Sequence, residues 1–142
     1  MTKPVIIAVD AMGGDNSPNK VIAGISEFLK RNKNVFFRIF GKSKIIENEI
    51  SKFSIKKDFF EIINCEEIVE NNGTPLVAAK KKNTSMWQAI NDVKEKNSNV
   101  IISAGNTGAL FVISKLNMKM IENISKPALA ALWPNKIDMN IV

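Results

Sequence analysis

Val5-Ile6-Ile7-Ala8-Val9 forms an unbroken apolar run that gives way at once to Asp10 and a glycine pair. A short apolar run without alternation reads as a strand buried on both faces. The period then changes. Val21, Ile22, Ile25, Phe28 and Leu29 recur at helical spacing and predict an amphipathic helix from residue 18 to about 32. Ser17 is its expected N-cap, with Pro18 at the first helical position. Val35–Phe40 reads as a second strand stopped by Gly41, and Ser43 as the cap of a short helix carrying Ile45, Ile46, Ile50 and Phe53. Phe59–Ile63 is a third strand, followed by a polar loop, Glu66–Pro75, with Asn72-Gly73 as its turn. A helix begins at Ser85 with Met86, Ile90 and Val93 on its inner side. Val100–Ser103 is a fourth strand, and a helix runs from Thr107 to about Met118. Strands alternating with helices, without hairpin signals, predict an α/β fold whose parallel sheet is covered on both faces.

The end of the sequence reads differently. Leu129–Leu132 is a candidate strand before a turn at Pro134-Asn135. Met139-Asn140-Ile141-Val142 looks like the start of a further parallel strand, which would need pairing on both edges. Residues 1–142 are therefore expected to be the N-terminal half of a larger α/β/α domain whose C-terminal half is absent.

Composition narrows the chemistry. A chain of 142 residues is long enough for one domain with its own core. No run approaches the ~18 apolar residues of a membrane helix, and Asp10 interrupts the only stretch resembling a signal sequence, so a cytoplasmic location is expected. The chain has no histidine, which excludes Ser-His-Asp and Cys-His catalysis and zinc sites that need imidazole. Its single cysteine, Cys65, cannot close an internal disulfide; it is either an acyl-carrying nucleophile or a small buried hydrophobe. No metal site or cofactor is expected. The net charge of +6 suits an acidic partner: nucleic acid, anionic lipid or an acidic carrier protein.

Two segments carry candidate chemistry. Asp10-Ala11-Met12-Gly13-Gly14-Asp15 follows the first strand, and Ala104-Gly105-Asn106-Thr107-Gly108 follows the fourth. A strand ending in a glycine turn that opens a helix aims backbone N–H groups at one spot, where phosphates bind. Gly13-Gly14 also permits positive φ, and Thr107 can cap its helix or bond a phosphate oxygen. Asp10, at the strand end, can orient a hydroxyl, a lysine or a metal. Lys80-Lys81-Lys82 with Thr84 and Ser85 places cations and hydroxyls before a helix start, a plausible anion site. Gly41-Lys42-Ser43 is not a P-loop, because Phe36 stands where the first glycine is required.

Taken together these stretches resemble the bacterial phosphate acyltransferases of phospholipid synthesis. Val9–Asp15 with Pro18 is similar to the family's opening signature, and Lys81-Lys82-Asn83-Thr84-Ser85-Met86 to its K-K-D-S-S-M stretch. Ser103–Leu110 matches its S-A-G-N-T-G-A-L segment, and Lys126-Pro127-Ala128-Leu129-Ala130 its R-P-A-L-A. The resemblance implies a three-layer α/β/α fold with a mainly parallel sheet, like those of phosphotransacetylases and isopropylmalate-type dehydrogenases. It also implies transfer of a fatty acyl group from acyl carrier protein to inorganic phosphate by a homodimer that associates peripherally with the membrane's inner face. Asn106 and Lys82 are then the expected catalytic residues. Asp10, Gly13, Gly14, Asp15, Lys81, Ser85, Gly105, Thr107 and Gly108 are the expected phosphate-binding residues. Asn83 and Thr84 depart from the family's Asp and Ser. Two other readings remain: an inactive or split-gene fragment of that enzyme, and a basic nucleic-acid-binding module. The second is disfavoured because tyrosine is absent and the eight phenylalanines mostly sit at core spacing, so nucleic acid is not an expected partner.

Overall fold

The computed structural model describes residues 3–134 and 139–141. Its centre is a four-stranded, all-parallel sheet of β1 (Val5–Asp10), β2 (Val35–Gly41), β3 (Phe60–Asn64) and β4 (Val100–Ser103), in the order β3-β2-β1-β4. The chain steps outward from β1 to β3, then crosses back to lay β4 on the other side of β1. Strand order therefore reverses between β1 and β4, and in open α/β sheets ligands bind outside the carboxyl ends of strands at such a reversal.

Both faces of the sheet are covered, for reasons legible residue by residue. On one face Ile7, Val9, Phe37 and Ile39 meet Ile22, Ile25 and Leu29 of α1 (Asn19–Arg31) and Ile46 and Ile50 of α2 (Ser43–Phe53). Each of these side chains contributes roughly 1.5–3 kcal/mol by leaving water. On the other face Ala8, Phe40 and Cys65 pack against Ala89 of α4 (Ser85–Lys94). Met86 and Ile90 of α4 also join Ala78 of the short α3 (Pro75–Lys80) and Ala109 and Ile113 of α5 (Thr107–Asn117). The result is a three-layer α/β/α arrangement. Arg38 of β2 clamps α4 to this second face: its Nε donates to Asp92 Oδ2 at 2.9 Å, its guanidinium also meets Glu61, and Ser98 Oγ donates to the same Asp92 oxygen at 2.5 Å.

Several local expectations are corrected. The first helix starts at Asn19 with Pro18 in the cap position and no side-chain cap; the Ser17 hydroxyl is turned back to the Gly13 carbonyl, to which it donates. Ser43 is the first residue of α2 rather than its cap; its N–H is held by Asn64 Oδ1 at 3.0 Å. Phe59 belongs to a 3₁₀ turn, Lys57–Phe59, ahead of β3. The expected strand at 129–132 is displaced to β5 (Leu132–Pro134), which pairs antiparallel with β6 (Met139–Ile141). The final segment therefore does not extend the parallel sheet. These two short strands form a sheet of their own; Asn135 and Val142 lie outside the described residues.

Candidate functional site

The parallel register aligns Asp10 with Ser103, so β1 and β4 end side by side and their glycine turns emerge together at the reversal. Asp10 is 2% exposed. Its Oδ1 accepts from Ser85 Oγ at 2.6 Å and from the Met12 N–H at 3.3 Å, while Oδ2 accepts from Ser103 Oγ at 2.8 Å. Ser103 Oγ in turn accepts from the Gly105 N–H at 3.1 Å. One buried carboxylate thus ties together the end of β1, the end of β4 and the first residue of α4. Burial of such a group is tolerable only with this kind of donor set.

The glycines are explained by contact more than by flexibility. A Cβ on Gly13 would stand 2.6 Å from Asp10 Oδ2, 2.8 Å from Gly105 N and 2.9 Å from Gly105 Cα. The two turns touch backbone to backbone, and only glycine fits between them. Positive φ is confined to Gly14 of the pair, at +86°, where a Cβ would also meet the Ala104 carbonyl at 2.7 Å.

A loop covers the turns. Asn106 Nδ2 donates to the Asn71 carbonyl at 2.8 Å and the Gly73 carbonyl at 3.1 Å, and Asn71 Nδ2 donates to Asp15 Oδ1 at 3.2 Å. Asn106 Oδ1 accepts from the Ala109 N–H at 2.9 Å, so Asn106 takes the capping role open to Thr107 and leaves the Thr107 side chain exposed. A Cβ on Gly108 would reach 2.8 Å from Pro75 Cγ, so α5 and the start of α3 also approach closely.

Asp10, Gly13, Gly14, Ser85 and Gly105 are therefore gathered at one spot, with Asp15 and Asn106 joined through Asn71 and with Thr107 and Gly108 in the first turn of α5. Lys81 and Lys82 stand exposed on the loop before α4, and their side chains make no hydrogen bond or ion pair among the described residues. That loop is shaped by Thr84, which accepts from the Trp87 N–H at 3.3 Å and donates to the Lys81 carbonyl at 3.2 Å. Thr84 thus performs the same capping that a serine there would. Ser103 and Asn71 were not singled out from the sequence. Ser103 is detectable only once β1 and β4 are known to be neighbours, and Asn71 carries no local signal. Chemically, the Thr107 and Gly108 N–H groups at the start of α5, which lack intrahelical acceptors, and the two free lysines suit an anion, while the Ala109 N–H is taken by Asn106.

Cys65 is 4% exposed, and burial pushes its thiol up to about 11. That shift disfavours the thiolate, the nucleophilic form, which makes an acyl-cysteine a poor use of this residue. The folded chain is expected to react with a thiol-specific disulfide reagent at least tenfold more slowly than the chain in urea. Equal rates would show the thiol to be accessible and reactive.

No described helix is long and apolar enough to cross a membrane. A family model described as fatty acid synthesis protein matches residues 5–142. A phosphate acyltransferase of Pelagibacter ubique is 58% identical over 143 residues, which covers all of this chain and 42% of that protein. One from Neorickettsia sennetsu is 41% identical over 137 residues, 94% of this chain and 40% of the relative. One from Clostridium acetobutylicum is 38% identical over 133 residues, 93% and 40%. The chain thus spans about two fifths of the length of the curated relatives it matches.

Proposed function

Since the chain belongs to the fatty acid synthesis protein family, we propose that it carries the phosphate-handling part of a phosphate acyltransferase, moving a fatty acyl group from acyl carrier protein to inorganic phosphate. The observation that supports this most is the Asp10 hub, which locks two glycine turns together at the reversal between β1 and β4. A phosphate oxygen attacks the thioester carbonyl, the new C–O bond forms, and the C–S bond breaks as the thiolate leaves with the carrier protein. The nucleophile is the substrate itself, so neither histidine nor an acylated side chain is needed. The product, acyl phosphate, feeds phospholipid synthesis.

In this reading the turns at Gly13-Gly14 and Gly105–Gly108 offer backbone N–H groups, the Gly105 N–H being held by Ser103 Oγ, with the Thr107 hydroxyl beside them and Lys81 and Lys82 supplying positive charge. Donors aimed at the developing oxyanion are worth roughly 3–4 kcal/mol each in comparable sites. Ser85 and Asp10 hold the turns in register. Asn106 has both amide hydrogens engaged by the Asn71 and Gly73 carbonyls, so for it to donate to substrate the covering loop must move. The charge of +6 favours encounter with an acidic carrier protein and with an anionic membrane surface. A second copy of the chain completes the proposed partner set.

Acyl-phosphate formation from acyl carrier protein thioester and phosphate tests the reading. The 142-residue chain is assayed alone and then mixed with the unmatched portion of the Pelagibacter relative, supplied as a separate polypeptide. Turnover in either case is expected. Its absence in both, beside an active full-length relative, overturns the reading.

A further inference from the structure

The loop over the glycine turns is fixed at both ends and held only by side chains between them. At one end Val69 is buried in the cluster of Met86 and Ile113, and the Glu67 carbonyl accepts from the Ser85 N–H at 3.1 Å. At the other end Pro75 begins α3 and approaches Gly108 closely. Residues 70–74 lie between these anchors, and all but Gly73 are exposed. A single backbone bond, from the Gly73 N–H to the Glu70 carbonyl at 3.0 Å, shapes this stretch from within. Among the described residues, its hydrogen bonds to the glycine turns all run through asparagine side chains. Asn106 Nδ2 donates to the Asn71 and Gly73 carbonyls, and Asn71 Nδ2 donates to Asp15 Oδ1. The stretch thus rests on both turns at once, on the one after β1 through Asp15 and on the one after β4 through Asn106.

The chemistry of the Asn106 contact resembles that of a bound ligand. Two oxygen atoms, at 2.8 and 3.1 Å, take both hydrogens of an amide that stands at the start of α5, beside the Thr107 and Gly108 N–H groups. A phosphate oxygen or a developing oxyanion needs the same donor. Ligand and loop cannot both hold it, so whatever strengthens one contact weakens the other.

We propose that residues 70–74 form a competitive flap: when closed, its carbonyls stand in for the anion at Asn106, and an anion at the turns releases it. The proposal rests on the phosphate-transfer reading. Asn71 is the latch. It is a positioning residue, acting through Asp15 and the path of its own backbone. The closed flap satisfies a half-buried amide that would otherwise lack partners while the site is empty. It also lowers the apparent affinity for phosphate by the fraction of molecules that are closed, so a weaker latch means tighter phosphate binding. A residue that merely stabilised the site would have the opposite sign.

The test is a titration of the isotope-labelled 142-residue chain with inorganic phosphate, followed by NMR at the Asn106 side-chain amide and at the backbone amides of Asn72, Gly73, Thr107 and Gly108. In the wild type the Asn106 and flap signals are expected to move together with Thr107 and Gly108, at one midpoint. Asn71→Ala removes the bond to Asp15, leaves both carbonyls in place and alters an exposed side chain outside the core. It is expected to move the flap signals toward their phosphate-bound positions before any phosphate is added. Its midpoint should fall about fivefold, the worth of one ordinary hydrogen bond. Phosphate that shifts Thr107 and Gly108 while the Asn106 side chain and the flap stay still overturns the inference and leaves the phosphate-holding turns standing. So does a midpoint that is unchanged or raised in Asn71→Ala. Failure of phosphate to move any of these signals, in wild type and variant alike, counts against the phosphate-holding turns and overturns the flap with them.

Discussion

Replacing Asp10 with alanine is expected to lower the unfolding free energy by about 3–5 kcal/mol, read from urea denaturation followed by circular dichroism. The carboxylate accepts three hydrogen bonds, from the hydroxyls of Ser85 and Ser103 and from the Met12 N–H. Hydrogen bonds to a charged group contribute about 1.5–3 kcal/mol each, and the donors left behind are buried or partly buried. The loss is large beside a whole-domain stability of about 5–15 kcal/mol. Asp10→Asn keeps the shape and one carbonyl acceptor, but it turns an NH₂ group toward one serine that must then reorient to accept. It is expected to cost about half as much. A change in Asp10→Ala of less than about 0.5 kcal/mol, the range of an ordinary surface substitution, would show that the turns hold without the hub. The functional consequence follows from the same contacts: without the hub, the turn after β1 loses its buried hydrogen-bonded tie to the end of β4.

The hub also marks where reading the sequence stopped short. The strands at 5–10, 35–41 and 100–103 are legible because each is a short, mostly apolar run bounded by a glycine or polar turn, broken only by Arg38 in the second. The helix at 19–31 is legible from its spacing. Its first residue is not, because the chain places Pro18, one residue later than the expected Ser17, at the cap position, with the Ser17 side chain turned back toward Gly13. Asn106 and Thr107 are adjacent and both able to cap, so pattern alone could not choose between them. The helix Pro75–Lys80 is six residues long and sits in an otherwise polar stretch, below the length at which periodicity can be recognised. The antiparallel pairing of Leu132–Pro134 with Met139–Ile141 rests on three residues a side, too few to state a direction. Within the site, Asp10 and the glycines announce themselves, whereas Ser103 acquires its role only from strand register and Asn71 only from the path of the covering loop.

Gly13→Ala is expected to destabilise the chain by about 1–3 kcal/mol, because the added methyl has no free direction to move. Two of the three atoms it would meet within 3 Å are backbone atoms of Gly105, and the third is the Asp10 carboxylate oxygen. The cost is one of contact alone, since Gly13 does not occupy the positive-φ region that Gly14 does. Gly105→Ala is expected to be milder. Its methyl meets the mobile end of Met86 at 2.9 Å and Gly13 Cα at 3.2 Å, and a thioether terminus yields more easily than a peptide group. Both substitutions push the same two turns apart, so they should not add. Once Gly13→Ala has parted them, Gly105→Ala finds room already made, and the double variant should cost less than the sum by on the order of 1 kcal/mol. Strict additivity in a denaturation cycle would mean that the turns do not press on each other. Coupling would establish that the two glycine segments, about 90 residues apart in the chain, act as one structural unit at the reversal of the sheet. Binding of inorganic phosphate should then fall in step with the separation of the turns rather than with overall stability, because a cradle shared by two loops fails as soon as either one moves.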